Sequence, residues 1–328
     1  MKRLMLLFIL LPSLVSAAPV VTSTSGTLTD GAAVTIIGAG FGLHPDYNTG
    51  TPYLPLIWDK FETGSLSSGW SGGLGITLDT TTTRLNSAYS AGQVRGSGKD
   101  SALVALGDTT QDTTYISTWR YFTGFDTVTS TNSKAWRIWP DAGLDNWVMI
   151  FLGGPANAKN GDWMWLIEYV GGSGSSSFGA GFLNSWHHYE VLVDQSNNNV
   201  TVWFDGVVSG SHTQTSWGGY NPNRIVIDAY SHETDNPFTY TDDAYISHTQ
   251  ARAMLCDGST WLTRGQCEIQ PPTAWSDTSV TIDFNQGAYT NGATPYLYVV
   301  DSSGAASSGL GVAIGSAPQA PLCTITPL

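Results

Sequence analysis

Carboxyl groups are the first side chains to test for chemistry, and this 328-residue chain has only five Glu: Glu62, Glu168, Glu190, Glu233 and Glu268. Retaining glycoside hydrolysis needs two carboxyls about 5 Å apart, and inversion needs a wider pair. Glu190 and Asp194 stand four apart with nothing acidic between them, and Glu233 and Asp235 fall in the polar run SHETDNP without a third acid. No acidic pair is therefore spaced for the familiar hydrolysis. β-Elimination from an acidic sugar needs a cation or amide on the uronate and a His or Tyr to take the C5 proton. On a strand, alternation puts His188 with Glu190 on one face and His187 with Tyr189 on the other. Arg120, Lys134, Arg137, His188 and Tyr189 form the candidate lyase set. Nucleophilic catalysis finds no support: there is no GxSxG, and the GSGSS run at Gly172 is a flexible turn.

Binding asks for less. Sugars lay their apolar faces on aromatic rings while polar side chains take the hydroxyls. The chain has 13 Trp and 14 Tyr, more than a sandwich core needs. Trp119, Tyr121, Trp136, Trp139, Trp163, Trp165, Trp217 and Tyr230 are the candidates, with the loop around Trp217 the best exposed site. Charge narrows the partner: 13 Lys+Arg against 26 Asp+Glu gives −13, which repels a phosphate backbone, so nucleic acid is not expected. With 41% hydrophobic residues the chain buries a core and is not disordered.

The elements that must position these groups are strands. Thr114 to Phe122, Trp147 to Leu152, Trp163 to Val170, Trp186 to Val193, Val200 to Phe204 and Arg224 to Ala229 alternate or run β-rich between explicit Gly, Asn and Asp turns. No window shows a 3.6-residue apolar period, so the chain reads as all-β. Residues 1–18 carry a Lys2-Arg3 start, an apolar run and small residues at Ser16-Ala17-Ala18, the pattern of a secretory signal peptide. No later segment is apolar enough to span a bilayer. In an oxidising compartment Cys256 and Cys267 flank a loop short enough to close as a disulfide, which leaves Cys323 unassigned.

Two family resemblances organise these strands. The TIIGAGFG run ending at Gly42, followed far downstream by PPTAWSDTSVTI from Pro271, resembles an IPT/TIG immunoglobulin-like domain split between the chain ends. Between them, WHHYEVLVD from Trp186 and VTVWFDGV from Val200 resemble a hairpin of concanavalin A-like lectin/glucanase (LamG-type) jelly rolls. WDKFETG from Trp58 and TDDAYI from Thr241 look like the first and last strands of such a roll. The expected organisation is a signal peptide at 1–18, an Ig-like domain from 19–55 and 248–328, and a jelly roll inserted at 56–247.

The resemblance implies a structural Ca²⁺ where the first and last strands meet. Asp59, Glu62, Asp242 and Asp243 are its hard-oxygen ligands in that expectation. It also exposes two departures: the ExDxxE strand of the glucanases and the RxExR and QIH strands of jelly-roll alginate lyases are both absent. The reading is a secreted, extracellular or cell-surface protein that binds a polysaccharide. A lyase acting on an acidic glycan and a non-catalytic structural protein are the alternatives.

Overall fold

The computed structural model describes residues 17–44, 56–94, 102–106, 112–123, 133–139, 148–153, 164–169, 172–177, 182–213, 224–228 and 238–315. Strands account for nearly all of the regular structure, and the one helical turn among the described residues is the 3-10 turn Trp261–Thr263. The protein is all-β, with a jelly-roll sandwich and a smaller Ig-like sandwich built from both chain ends.

Alternation explains the strand that anchors the larger sandwich. Thr113–Thr123 reads TTYISTWRYFT, so Tyr115, Ser117, Trp119 and Tyr121 share one face while Ile116, Arg120 and Phe122 share the other. It pairs with Trp186–Asp194 on one side and Phe238–Ser247 on the other. The full eight-stranded sheet runs Val207–Thr213, Asn199–Phe204, Trp186–Asp194, Thr113–Thr123, Phe238–Ser247, Ser90–Val94 and Ile76–Asp79, with Ile57–Asp59 also on Phe238–Ser247. Asp205 and Gly206 join two of these strands with φ of 45° and 75°, the doubly positive pair that a two-residue hairpin turn requires and that Asp-Gly supplies.

A seven-stranded sheet lies against it, in the order Gly172–Ser177, Met164–Tyr169, Val148–Gly153, Ser133–Trp139, Arg224–Asp228, Ala102–Leu106 and Trp70–Leu74. Ile116, Phe122, Tyr189, Val191 and Val202 from one sheet meet Trp136, Ile138, Ile150, Ile225 and Ile227 from the other in a single core.

The smaller sandwich pairs Val20–Ser25, Ala33–Ala39, Ser279–Asp283 and Pro272–Trp275 in one sheet and Cys267–Gln270, Arg252–Cys256, Tyr296–Val300 and Leu310–Gly311 in the other. Val34, Ile36 and Phe41 from the first part of the chain pack with Leu255, Ile282, Leu297 and Val299 from the last. Strand alternation then does a second job. Ala253 and Leu255 face that core, whereas Met254 and Cys256 face Tyr115, Leu192 and Tyr245 on the outer side of the eight-stranded sheet. The two sandwiches are thus stacked, and much of the eight-stranded sheet is covered on both faces. Cys256 and Cys267 sit directly opposite one another in register and are joined by a disulfide that is fully buried in this contact. Residues 1–16, including most of the leader segment, and Cys323 lie outside the described residues.

Candidate functional site

Where the second sandwich covers the sheet, the contact is polar as well as apolar. Glu190 is fully buried, accepts a 2.9 Å bond from Arg252 Nη2 and a 2.6 Å bond from the Tyr115 hydroxyl, and has Arg264 Nη2 at 3.8 Å. Burial alone would raise its pKa; Arg252, His188 and Arg264, with the Tyr115 hydroxyl, outweigh that and hold it at about 2. Arg84 forms the second centre, its guanidinium shared between Asp243 and Glu268 while its flat face lies 3.9 Å over the Trp119 ring. A bulge aims Asp243 at it: Asp242 pairs with Trp119 and Tyr245 with Ser117, so the Phe238–Ser247 strand carries one extra residue there, and Asp243 takes a φ of 45°. Burial, helped by Asp243, pushes the Asp242 carboxyl well above its usual range, and burial raises Glu268 against the pull of Arg84.

This layer decides what the candidate catalytic residues can do. His188 is buried inside it, with Nε2 2.8 Å from Ser117 Oγ, and burial lowers its pKa to about 4, against Glu190 and Asp205 and aided by Arg84 and Arg264. Tyr189 and Arg120 point the opposite way, into the jelly-roll core. Arg120 donates 2.7 Å to the Ala135 carbonyl and lies 5.0 Å from the Trp136 ring, so it is a cation held within the core. Arg137 is half-buried on the facing sheet, and the side chain of Lys134 lies outside the described residues. The expected lyase set is therefore split between two faces of one sheet and a second sheet, because adjacent residues of a strand point apart.

Of the four expected calcium ligands, Asp59, Glu62 and Asp243 are engaged with protein donors, whereas Asp242 accepts the Asp243 N–H on Oδ1 and keeps a buried Oδ2 without a hydrogen-bond partner among the described residues. Asp59 accepts from the backbone N–H of Phe61 at 2.8 Å and of Ser67 at 2.7 Å, and from Trp70 Nε1 at 2.8 Å. Glu62 accepts from the Ser87 hydroxyl and, at 2.8 Å, from the Ala88 N–H. Among the described residues no three His, Cys, Asp or Glu side chains converge as a metal site, and Arg84 supplies the positive charge beside Asp243. As placed, Asp59, Glu62 and Asp243 are committed to protein donors.

Among the expected sugar-binding rings, Trp119 lies under Arg84 and Trp136 lies in the core, both buried. Trp163, Trp217 and Tyr230 fall outside the described residues, as do the side chains of Trp139 and Trp165. Tyr121 is different. It is half-exposed on the outer face, and register places it between two further half-exposed rings, Trp186 on one neighbouring strand and Tyr240 on the other. Ring centroids are 5.7 Å apart for Trp186–Tyr121 and 5.9 Å for Tyr121–Tyr240. Phe238, two residues before Tyr240 and 39% exposed, lies nearly parallel to it at 6.5 Å. Gly92 lies opposite Tyr240 on the next strand, at the end of the row. Sequence reasoning found Tyr121 and missed Trp186, Tyr240 and Phe238. Alternation sorts each strand's residues onto two faces, but only strand pairing brings the three strands' aromatics into one row.

No family model matches the chain, and no curated protein matches it in sequence. The resemblances to LamG-type and IPT/TIG domains accordingly rest on the quoted motifs. Solved structures similar to the chain include the receptor-binding domain of botulinum neurotoxin type G, at 12% identity, with 75% of this chain and 72% of that one covered and a TM-score of 0.43. The cellulose-induced protein Cip1 is similar at 16% identity over 59% of this chain and 97% of its own, also with a TM-score of 0.43.

The buried layer has a measurable pH signature. A histidine whose folded pKa lies near 4, against 6.5 when free, contributes fully above pH 6.5 and loses that contribution as pH falls toward 4. Between pH 7 and 4.5 the loss is about 2–3 kcal/mol. Urea unfolding of His188→Asn at both pH values should show a stability difference smaller than wild type by that amount; an unchanged difference would place His188 outside the layer.

Proposed function

We propose that the protein binds an extracellular polysaccharide through the outer face of its eight-stranded sheet. The observation that carries this reading is the half-exposed row Trp186–Tyr121–Tyr240, extended by Phe238. Aromatic rings held at strand spacing on a stiff sheet offer apolar surface in steps along a chain of sugars, and little side-chain entropy remains to be lost on binding. The net charge of −13 disfavours a polyuronate, so the polysaccharide class is neutral. The buried Cys256–Cys267 disulfide suits an oxidising compartment outside the cytoplasm. Among the described residues no helix is long and apolar enough to cross a membrane.

The lyase alternative has no supporting geometry among the described residues, since its proton acceptor His188 is buried and turned away from Tyr189 and Arg120. A purely structural role would leave the row without an occupant.

Retention on immobilised neutral glycans tests the reading. Trp186→Ala and Tyr240→Ala should each weaken binding by about tenfold, equivalent to about 1.4 kcal/mol. Leu262→Ala, at a residue 88% exposed elsewhere on the surface, should leave it unchanged. Equal retention of all three variants would remove the row from the site. Calcium has its own test. With Asp59 occupied by three N–H donors and Asp243 by Arg84, excess EGTA should leave the melting temperature within about 1 °C. A drop of several degrees, restored by Ca²⁺, would show that an ion holds this seam after all.

A further inference from the structure

A second cleft lies away from the aromatic row, where the first strand of the jelly roll meets the edge strand Pro272–Trp275 of the smaller sandwich. Its volume is about 500 Å³, within the range of small-ligand sites, and junctions between domains are where such sites concentrate. Its lining mixes the half-exposed Trp58 ring and the buried Pro271 and Pro272 with the polar Ser68, Thr273 and Asp283. Trp58 is half-exposed, with its ring edge-on to Tyr245 at a centroid distance of 6.5 Å.

We infer that this cleft is a second saccharide site, taking a single neutral sugar unit or a chain end. A pyranose has an apolar face and a hydroxyl edge, and the cleft lining offers an indole ring for the first and hydroxyl and carboxylate side chains for the second. A peptide strand adding to the exposed edge fits worse. Proline lacks an N–H, so Pro272, the first residue of this edge strand, offers no donor to an incoming backbone. Among the described residues Asp283 is the one charged group lining the cleft, and it would repel an acidic ligand.

The cleft is also pre-organised, and the residue responsible is Asp59. Its carboxylate grips the backbone N–H of Ser67 and, from the other side of the loop, the indole N–H of Trp70. The intervening residues Ser68 and Gly69 are therefore held as a fixed lip beside Trp58. Asp59 acts as a positioning residue: it never touches the ligand, but it fixes the rim that does.

This inference is separate from the aromatic row, and one titration series distinguishes them. Full-length protein is titrated with neutral glucan, mannan, xylan and galactan oligosaccharides, read by calorimetry and by tryptophan fluorescence. Wild type should show two classes of site for one of these series. Tyr121→Ala/Tyr240→Ala should keep the cleft site alone. In that background Ser68→Arg, which fills the cleft from an exposed position without touching the core, should weaken the remaining binding at least tenfold. Trp58→Phe should weaken it less, and Asp59→Asn should weaken it while Trp58 remains in place. Residual binding unchanged by Ser68→Arg would overturn the cleft and leave the row standing. A single site lost only through Ser68→Arg would overturn the row and keep the cleft, and no binding of any series by wild type would overturn both.

Discussion

The structure depends on a layer of buried charge between its two sandwiches. Taking Glu190, Glu268, Arg84, Arg252 and Arg264 out of water is expensive, and only close pairing with good hydrogen-bond geometry offsets that cost. Each carboxylate in the layer has a guanidinium from another part of the chain. Glu190 belongs to the jelly roll and meets Arg252 from the smaller sandwich, while Glu268 belongs to the smaller sandwich and meets Arg84 from the jelly roll. The exchange runs in both directions. Sliding one sandwich over the other by a single strand position would separate both pairs at once.

That constraint also sets the boundary of the proposed binding face. Trp186, His188 and Glu190 follow each other at two-residue intervals on the same face of one strand, yet they have different fates. Glu190 and His188 lie beneath the second sandwich and are buried, whereas Trp186 extends beyond it and is half-exposed. The neighbouring strands repeat the pattern, with Trp119 covered by Arg84 and Tyr121 left open. One row of side chains therefore separates a structural layer from the proposed binding face. The bulge at Asp242–Asp243 lies at this border, where it turns a carboxylate toward Arg84 and ends the regular pairing that carries Tyr240.

Much of this was legible in the residues. Alternation placed His188 with Glu190 and opposite Tyr189, and the Asp205-Gly206 hairpin was readable from the turn residues alone. The disulfide loop was visible from its length. What alternation could not supply was the identity of each face: both faces of Trp186–Asp194 are buried over most of its length, so a polar His-Glu face reads like a solvent-facing one. Arg84 illustrates the same limit. It sits in a loop without any motif, and its partners are 159 and 184 residues away in sequence, a separation that only the stacked sheets close. The family resemblance cast Asp59, Glu62, Asp242 and Asp243 as metal ligands. The partners that Asp59 and Asp243 have in the fold, backbone and indole N–H groups and a guanidinium, leave no trace in local sequence.

The most direct test is a crystal structure of the full chain soaked with the neutral oligosaccharide that it retains best. Sugar density lying across the Trp186, Tyr121 and Tyr240 rings, with the Arg84 and Glu190 layer unchanged beneath the second sandwich, is the predicted result. A well-ordered sugar bound elsewhere, with all three rings bare, would contradict the proposal that the uncovered part of this sheet is the binding face.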